Sequence, residues 1–157
     1  MNRTFSVPEW HRLAQDGTKI PVRIPLSGWS MEPLIRMNKD IVTIIPLEEI
    51  PQIGDIVLFA DQKQGRYVVD RVWSLNDGKI LTWGDNCPAP DNWLPLEDVW
   101  GKAVLIERGK RKIQPNPAKG MKWAGFWHWA GTVYRPYIRF KNAVRDKIDR
   151  MRVWVKK

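Results

Sequence analysis

Short apolar runs separated by glycine and proline dominate the first two thirds of the chain. Valine, isoleucine and aromatic residues fill these runs, and this composition is typical of β-strands. The pattern predicts six strands: Ile20 to Ile24, Ile41 to Ile45, Asp55 to Phe59, Tyr67 to Trp73, Ile80 to Trp83, and Val99 to Glu107. Asp77-Gly78 lies between two of them, and an Asp-Gly pair tolerates the positive φ of a hairpin turn. The sequence therefore predicts a mainly β fold.

A helix is predicted before the first strand, from Val7 to about Asp16. Ser6 precedes it and Glu9 follows three residues later, which is the spacing of a capping box. Gly17 supplies a stop signal at the other end.

The composition changes after Gly109. Gln114-Pro115-Asn116-Pro117 reads as a linker, and apolar residues then recur at helical spacing from about Pro136 to Trp154, with Lys and Arg between them. We therefore divide the chain into an N-terminal helix and lead-in (1–19), a β domain (20–113), and a linker with a basic, Trp-rich amphipathic helix (114–157).

Composition restricts the protein class. With 157 residues, 43% hydrophobic and 27% charged, the chain is typical of one soluble globular domain. Its single cysteine, Cys87, excludes an internal disulfide, and the scattered histidines show no metal-ligand spacing, so no metal or cofactor is predicted. No apolar run reaches the roughly 18 residues of a membrane span. We expect a cytoplasmic protein, in contact with a membrane at most peripherally.

The net charge of +9 is unevenly distributed. Residues 107–157 contain fifteen Lys/Arg and three Asp/Glu, whereas residues 1–106 carry a slight negative balance. The apolar stripe of this tail fits packing on the β domain, contact with an anionic membrane surface through 121–157, or nucleic-acid binding. We favour packing combined with weak membrane attraction, because basic charge alone does not specify nucleic acid.

Gly28-Trp29-Ser30-Met31-Glu32-Pro33 is the strongest candidate for chemistry. A serine hydroxyl becomes a nucleophile when a neighbouring base takes its proton. A turn with glycine close to the serine also lets backbone N–H groups face a developing oxyanion. The stretch is compatible with acyl transfer and, taken alone, equally with an ordinary turn before a strand.

The order of the surrounding blocks decides between these interpretations. Gly-x-Ser-Met-Glu-Pro-Leu-Ile is followed by Lys39-Asp40-Ile41-Val42, Gly54-Asp55-Ile56-Val57, Val69-Asp70-Arg71-Val72, Gly84-Asp85-Asn86 and Gly101-Lys102-Ala103-Val104. Between about Val22 and Arg108 the chain resembles the superfamily of type I signal peptidases and self-cleaving SOS repressors. The resemblance implies a mostly β fold, Ser30 as nucleophile with its own N–H in the oxyanion hole, a structural Gly84-Asp85-Asn86 turn, and peptide binding as an added strand.

Asp70 departs from that family, whose members carry lysine or histidine at this position as the general base. An ordinary aspartate, with a pKa near 3.9, accepts protons poorly at neutral pH. Three interpretations stay open: a desolvated Asp70 acts as the base, another residue does so (His11, His128 or Lys102), or catalysis is lost and the peptide groove remains. A fourth, purely structural interpretation is an outward Asp70 paired with Arg71 or Lys79. Cys87 reads as a packed residue.

Two functions follow from these observations. The first is a signal-peptidase-like serine endopeptidase that acts on a peptide or leader segment, with Ser30 as nucleophile and Asp70 at the base position. The alternative is a catalytically inactive member of the family that binds a peptide or partner at the cytoplasmic membrane face. The sequence does not determine the oligomeric state.

Overall fold

The computed structural model of the protein describes residues 6–62 and 65–131. Its first element, α1 (Val7–Gln15), begins at the predicted capping box: the Ser6 hydroxyl accepts from the Glu9 N–H at 3.4 Å, and the Glu9 carboxylate accepts from the Ser6 N–H at 3.4 Å. Trp10 attaches the helix to the sheet, because its ring is buried and its Nε1 donates to the Ile20 carbonyl at 2.6 Å.

The body of the protein is one antiparallel sheet of eight strands. The strands lie in the order β1-β2-β7-β3-β4-β5-β6, and β8 pairs with β7. A short 3-10 helix (Leu96–Asp98) precedes β7. The bounds are β1 Val22–Pro25, β2 Ile41–Pro46, β3 Ile56–Asp61, β4 Arg66–Asn76, β5 Lys79–Trp83, β6 Trp93–Pro95, β7 Val99–Arg108 and β8 Arg111–Ile113.

The structure confirms the mainly β fold and the short N-terminal helix. All six predicted strands are present, and the predicted hairpin joins β4 to β5, with Asp77 at φ 44° and Gly78 at φ 70°. Strands β6 and β8 were not predicted. Two groups of buried apolar side chains hold the sheet together, one around Trp10, Met31, Ile44 and Ile106 and the other around Val57, Phe59 and Val72.

A second helix, α2, covers residues 117–131 of the described chain. It starts inside the segment interpreted above as a linker, because Asn116 caps it: the Asn116 side-chain oxygen accepts from the Lys119 N–H at 2.9 Å, and Pro117 occupies the first turn. A C-terminal helix is therefore confirmed. The helix predicted over Pro136 to Trp154 lies outside the described residues.

Helix α2 packs on the sheet by its small residues. Ala124 is fully buried, and Gly120 lies so close to the Arg71 guanidinium that a Cβ there would collide with it. Neither α1 nor the described part of α2 is long and apolar enough to cross a bilayer.

Candidate active site

Ser30 lies in the turn region that joins β1 to β2, and its side chain is half-buried. Two buried neighbours, Met31 and Ile35, anchor this region in the core, and the Ile35 N–H donates to the Met31 carbonyl at 2.9 Å. The Asn86 N–H donates to the Ser30 carbonyl at 2.7 Å and so ties the serine to the segment that follows β5. The position of Ser30 is thus fixed from both directions.

An ion pair holds the far end of the same region. The Asp40 carboxylate accepts three bonds of 2.6 to 3.2 Å from the Arg108 guanidinium and one of 2.8 Å from the Arg36 N–H. Arg108 also donates to the Leu34 carbonyl at 2.8 Å. Hydrogen bonding with Arg108 lowers the pKa of Asp40, and the carboxylate raises the pKa of Arg108 in return. Both groups are charged at neutral pH and clamp the end of the serine loop to β7.

Asp70 is a buried residue of β4, opposite Val57 of β3. Only 2% of its surface is exposed, so the interpretation of Asp70 as an outward carboxylate is wrong. Arg71 does not pair with it either, because the Arg71 guanidinium binds Asp85. Within residues 6–62 and 65–131, Asp70 Oδ1 has no hydrogen-bond partner.

Gly84 brings Ser30 and Asp70 together. A Cβ added at this glycine would lie 2.8 Å from Ser30 Cβ and 2.9 Å from both Asp70 Oδ1 and Cys87 Sγ. Three side chains from distant parts of the sequence therefore surround one small space, which only a residue without a side chain leaves open. The two predicted site residues, Ser30 and Asp70, are brought together here, and the sequence had not placed Cys87 with them.

The surroundings of Asp70 raise its pKa to about 8. Desolvation by burial is the largest cause, since a charged carboxylate is unfavourable away from water. Asp91 and Asp85 add negative charge nearby and act in the same direction. The Ser30 hydroxyl acts in the opposite direction, because a hydrogen-bond donor favours the charged form. The net effect is a carboxyl group that titrates above neutral pH, where an ordinary aspartate is fully ionised.

A buried ion pair fixes the turn that contains Gly84. Arg71 Nε and Nη2 donate to the two Asp85 oxygens at 2.8 and 2.7 Å, and both side chains are at least 97% buried. Arg71 Nη1 also donates to the Gly54 carbonyl at 2.9 Å. Such bidentate pairing sets the geometry as well as the charge. The expected structural role of Gly84-Asp85-Asn86 thus has a physical basis in Arg71.

The three other candidate bases lie in different surroundings. His11 stacks on Trp100 at 3.8 Å, and burial lowers its pKa. Lys102 of β7 is separated from Asp70 by β3, and its Nζ pairs with Asp55 at 3.5 Å. His128 of α2 stacks on Trp83 at 3.8 Å, and its Nε2 lies 3.1 Å from the Gly84 carbonyl. His128 therefore adjoins the turn that carries the site.

Two backbone features could receive a peptide. Strand β1 pairs only with β2, so its other edge has no strand partner in the described chain. In β4, pairing with β5 begins at Arg71, so no strand of the described residues pairs with 66–70 on that side. The first edge leads into the Ser30 turn, and the second ends at Asp70.

Within the described residues, the Ser30 N–H donates to no protein acceptor, so it can meet an incoming carbonyl oxygen.

Comparison of the sequence with protein-family models and with curated proteins yields no match.

Proposed function

We propose that the protein is a serine endopeptidase that acts on an extended peptide segment, with Ser30 as the nucleophile and Asp70 as the general base. The observation that carries the proposal is a buried carboxyl group beside the serine, which no cation of the described residues contacts. Perturbed pKa values of this kind concentrate at functional sites. The raised pKa of Asp70, about 8, meets the requirement that a general base titrate near the working pH.

Each step uses a group of this site. The Asp70 carboxylate takes the proton of the Ser30 hydroxyl as Oγ attacks the scissile carbonyl carbon. The Ser30 N–H donates to the resulting oxyanion. Protonated Asp70 then returns the proton to the leaving amine, and the peptide bond breaks. Water then attacks the acyl-enzyme: Asp70 accepts a proton from the water and returns it to Ser30 Oγ as the acyl bond breaks, which restores the free enzyme.

The substrate class follows from the two unpaired strand edges. An extended peptide can add to β1 or to residues 66–70 of β4 through backbone hydrogen bonds. Both segments lead to the catalytic pair, so a peptide held there would present a backbone carbonyl near Ser30. Backbone pairing gives little side-chain selectivity, and we therefore propose a peptide or leader segment rather than a particular sequence.

Covalent labelling with a fluorophosphonate tests this proposal. We expect wild-type protein to gain one adduct, found at Ser30 by peptide mass mapping, at a rate that rises with pH to a plateau above about 8, because Asp70 must lose its proton to act. Ser30→Ala should abolish labelling and Asp70→Asn should reduce it by about 100-fold or more. Asp16→Asn, an exposed carboxylate at the end of α1, is the matched control. Equal labelling of wild-type and Asp70→Asn protein would remove Asp70 as the base.

An inactive peptide-binding protein is the second candidate function. It is favoured by Asp70 itself, which occupies the position where the resembling family carries lysine or histidine, and whose Oδ1 has no hydrogen-bond partner among the described residues. Asp70→Lys and Asp70→His introduce the two residue types that the superfamily resembled by this chain carries at the base position. If either variant hydrolyses a leader peptide that wild type binds but leaves intact, the inactive function is correct and the peptidase proposal fails.

The exposed side of α2 supports action at an anionic membrane surface. Trp123, Phe126 and Trp129 are 61%, 51% and 74% exposed, and Lys119 and Lys122 lie on the same helix. Aromatic residues beside lysines suit the interface of a negatively charged bilayer. Co-sedimentation with vesicles containing phosphatidylserine should exceed that with phosphatidylcholine alone. Replacement of the three aromatic residues by serine should abolish it, and unchanged binding would contradict this location.

A further inference from the structure

The space beside Ser30 contains a second nucleophilic side chain, the thiol of Cys87. Cys87 Sγ lies 2.9 Å from the Cβ position of Gly84, which is 2.8 Å from Ser30 Cβ. Cys87 is half-buried as a residue, and it is the only cysteine of the chain. Because the thiol lies so close to Ser30, a group attached to Sγ would come into contact with the candidate nucleophile.

The backbone around Cys87 holds the thiol in this position. The Cys87 N–H donates to the Gly84 carbonyl at 2.9 Å. Its own carbonyl accepts from Trp83 Nε1 at 3.0 Å. These two bonds close a tight turn. Asp85, which lies in the same turn, is held by its ion pair with Arg71. The thiol is therefore held within a rigid segment of the site.

The same space has an unused hydrogen-bonding group. Asp70 Oδ1 is 2.9 Å from the Gly84 Cβ position, belongs to a side chain that is almost fully buried, and has no hydrogen-bond partner in the described chain. A buried polar atom without a partner costs free energy. A hydrogen-bond donor that reached Oδ1 would relieve this cost, so a polar group carried by Cys87 is favoured over an apolar one.

We propose that Cys87 is a modification site for small polar disulfides, and that an adduct on its Sγ closes the Ser30 site. The second part rests on the proposed function. In the exchange, Cys87 Sγ attacks one sulfur of the disulfide, a new S–S bond forms, and the disulfide's own S–S bond breaks. The proton of the Cys87 thiol ends on the departing thiol. The disulfide is the oxidant, and a thiol reductant reverses the step.

Steric crowding explains how the adduct would act. A single carbon atom at Gly84 would already lie closer than 3 Å to Ser30, Asp70 and Cys87. A hydroxyethylthio group on Cys87 has several heavy atoms, and the surrounding backbone is held by hydrogen bonds. The position of a Gly84 side chain has no room for these atoms, so we expect them to crowd Ser30 and to exclude an acyl group from it.

The first experiment treats wild-type protein with 2-hydroxyethyl disulfide. Intact mass should show one adduct, since the chain has one cysteine. Fluorophosphonate labelling of Ser30 should then fall to the background of the Ser30→Ala variant and return after dithiothreitol. Cys87→Ser, compared with its own untreated sample, should not respond to the disulfide. A complete adduct with unchanged Ser30 labelling would overturn the inference, and so would a thiol that the disulfide does not modify.

A second experiment tests the placement of the thiol without using activity. Ser30→Cys, oxidised with glutathione disulfide, should lose two hydrogens and form an internal disulfide between position 30 and Cys87. Ser27→Cys, at an exposed position of the same turn, is the matched control and should yield glutathione adducts instead. A cross-link in a protein whose Ser30 never labels would reject the peptidase proposal and retain the thiol site. Labelling of wild type without a cross-link would reject the thiol site alone.

Discussion

Asp40 and Asp70 are buried to the same extent and behave in opposite ways. Their exposed fractions are 1% and 2%. The Arg108 guanidinium lowers the pKa of Asp40, whereas desolvation raises the pKa of Asp70 to about 8. The cation in contact with the Asp40 oxygens outweighs the desolvation of that residue, whereas desolvation is the largest influence on the pKa of Asp70. Burial alone therefore does not determine the charge state of an aspartate in this fold.

Among the described residues, Asp70 pairs with no cation, although an arginine follows it in sequence. Successive side chains of a strand point to opposite faces, so Arg71 faces away from Asp70 and binds Asp85. The arrangement leaves one buried carboxyl group uncompensated, and this group lies beside Ser30. Burying such a group costs folding free energy, and a cation beside it would remove this cost. We interpret the cost as the consequence of a functional requirement for a neutral-pH base.

Removing the cation from Asp40 should give the largest loss of stability at neutral pH. We expect Arg108→Met to lower the free energy of unfolding by about 3–5 kcal/mol at pH 7, because it leaves a buried carboxylate unpaired. The pKa of Asp40 should rise, so Asp40 would come to resemble Asp70. Chemical denaturation at pH 5 and pH 7 measures both changes, since the loss should be smaller at the lower pH, where Asp40 can accept a proton.

Arg23→Met is the control for this prediction. Arg23 pairs with Glu107 at 2.7 Å on the surface, with 57% of the Arg23 side chain exposed. Exposed pairs contribute about 0–1 kcal/mol. Equal losses in the two variants would show that the partner of Asp40 does not matter, and the comparison of the two aspartates would fail.

Removing the charge from Asp70 should change stability in the opposite direction. Between pH about 4 and about 8 the native state holds the Asp70 proton and the unfolded chain does not, so this residue makes stability fall as pH rises. Asp70→Asn cannot ionise. The free energy of unfolding of the variant relative to wild type should therefore increase with pH over this range, by up to roughly 1.4 kcal/mol per unit, and level off above pH 8.

Thermal or urea unfolding at four or five pH values would measure this difference. Asp16→Asn should show no such trend, because Asp16 is exposed at the end of α1. A difference that does not depend on pH would mean that Asp70 has an ordinary pKa in the folded protein.

Most of the sheet could be predicted because its strands carry their own signal. Alternating Val and Ile residues between glycines and prolines identify strands β1 to β5 and β7. Strands β6 and β8 are three residues each, and Trp93–Pro95 includes a proline while Arg111–Ile113 is mostly cationic. Their strand character comes from pairing with β5 and β7, which local sequence does not reveal.

The start of α2 falls in the segment interpreted as a linker, and the reason differs from that for β6 and β8. Asn116-Pro117 is a turn signal in isolation, but the same pair is a good helix start when the asparagine caps the first turn. Gly120 and Gly125 weaken a helical pattern further. The structure explains Gly120 by the approach of Arg71, a contact between residues 49 positions apart.

The sequence predicts only those parts of the candidate site that lie in the motif blocks of the family resemblance. The motif order identified Ser30 and Asp70, and the turn at Gly84 was expected to adjoin them. The burial of Asp70, the position of Cys87 and the contact of His128 with Gly84 depend on how α2, β4 and the turn after β5 pack together. No local pattern contains that information, so the identity of the base stayed open.

The most direct test is the titration of the Asp70 carboxyl carbon by NMR in protein labelled with ¹³C at aspartate side chains. Asp70→Asn assigns its resonance by loss of that signal, and Asp40 provides an internal comparison. We expect the Asp70 signal to titrate with a midpoint near 8. The Asp40 signal should titrate at a pH below the usual pKa of an aspartate. A midpoint near 4 for Asp70 would show an ordinary carboxylate and contradict its proposed role as the base for Ser30.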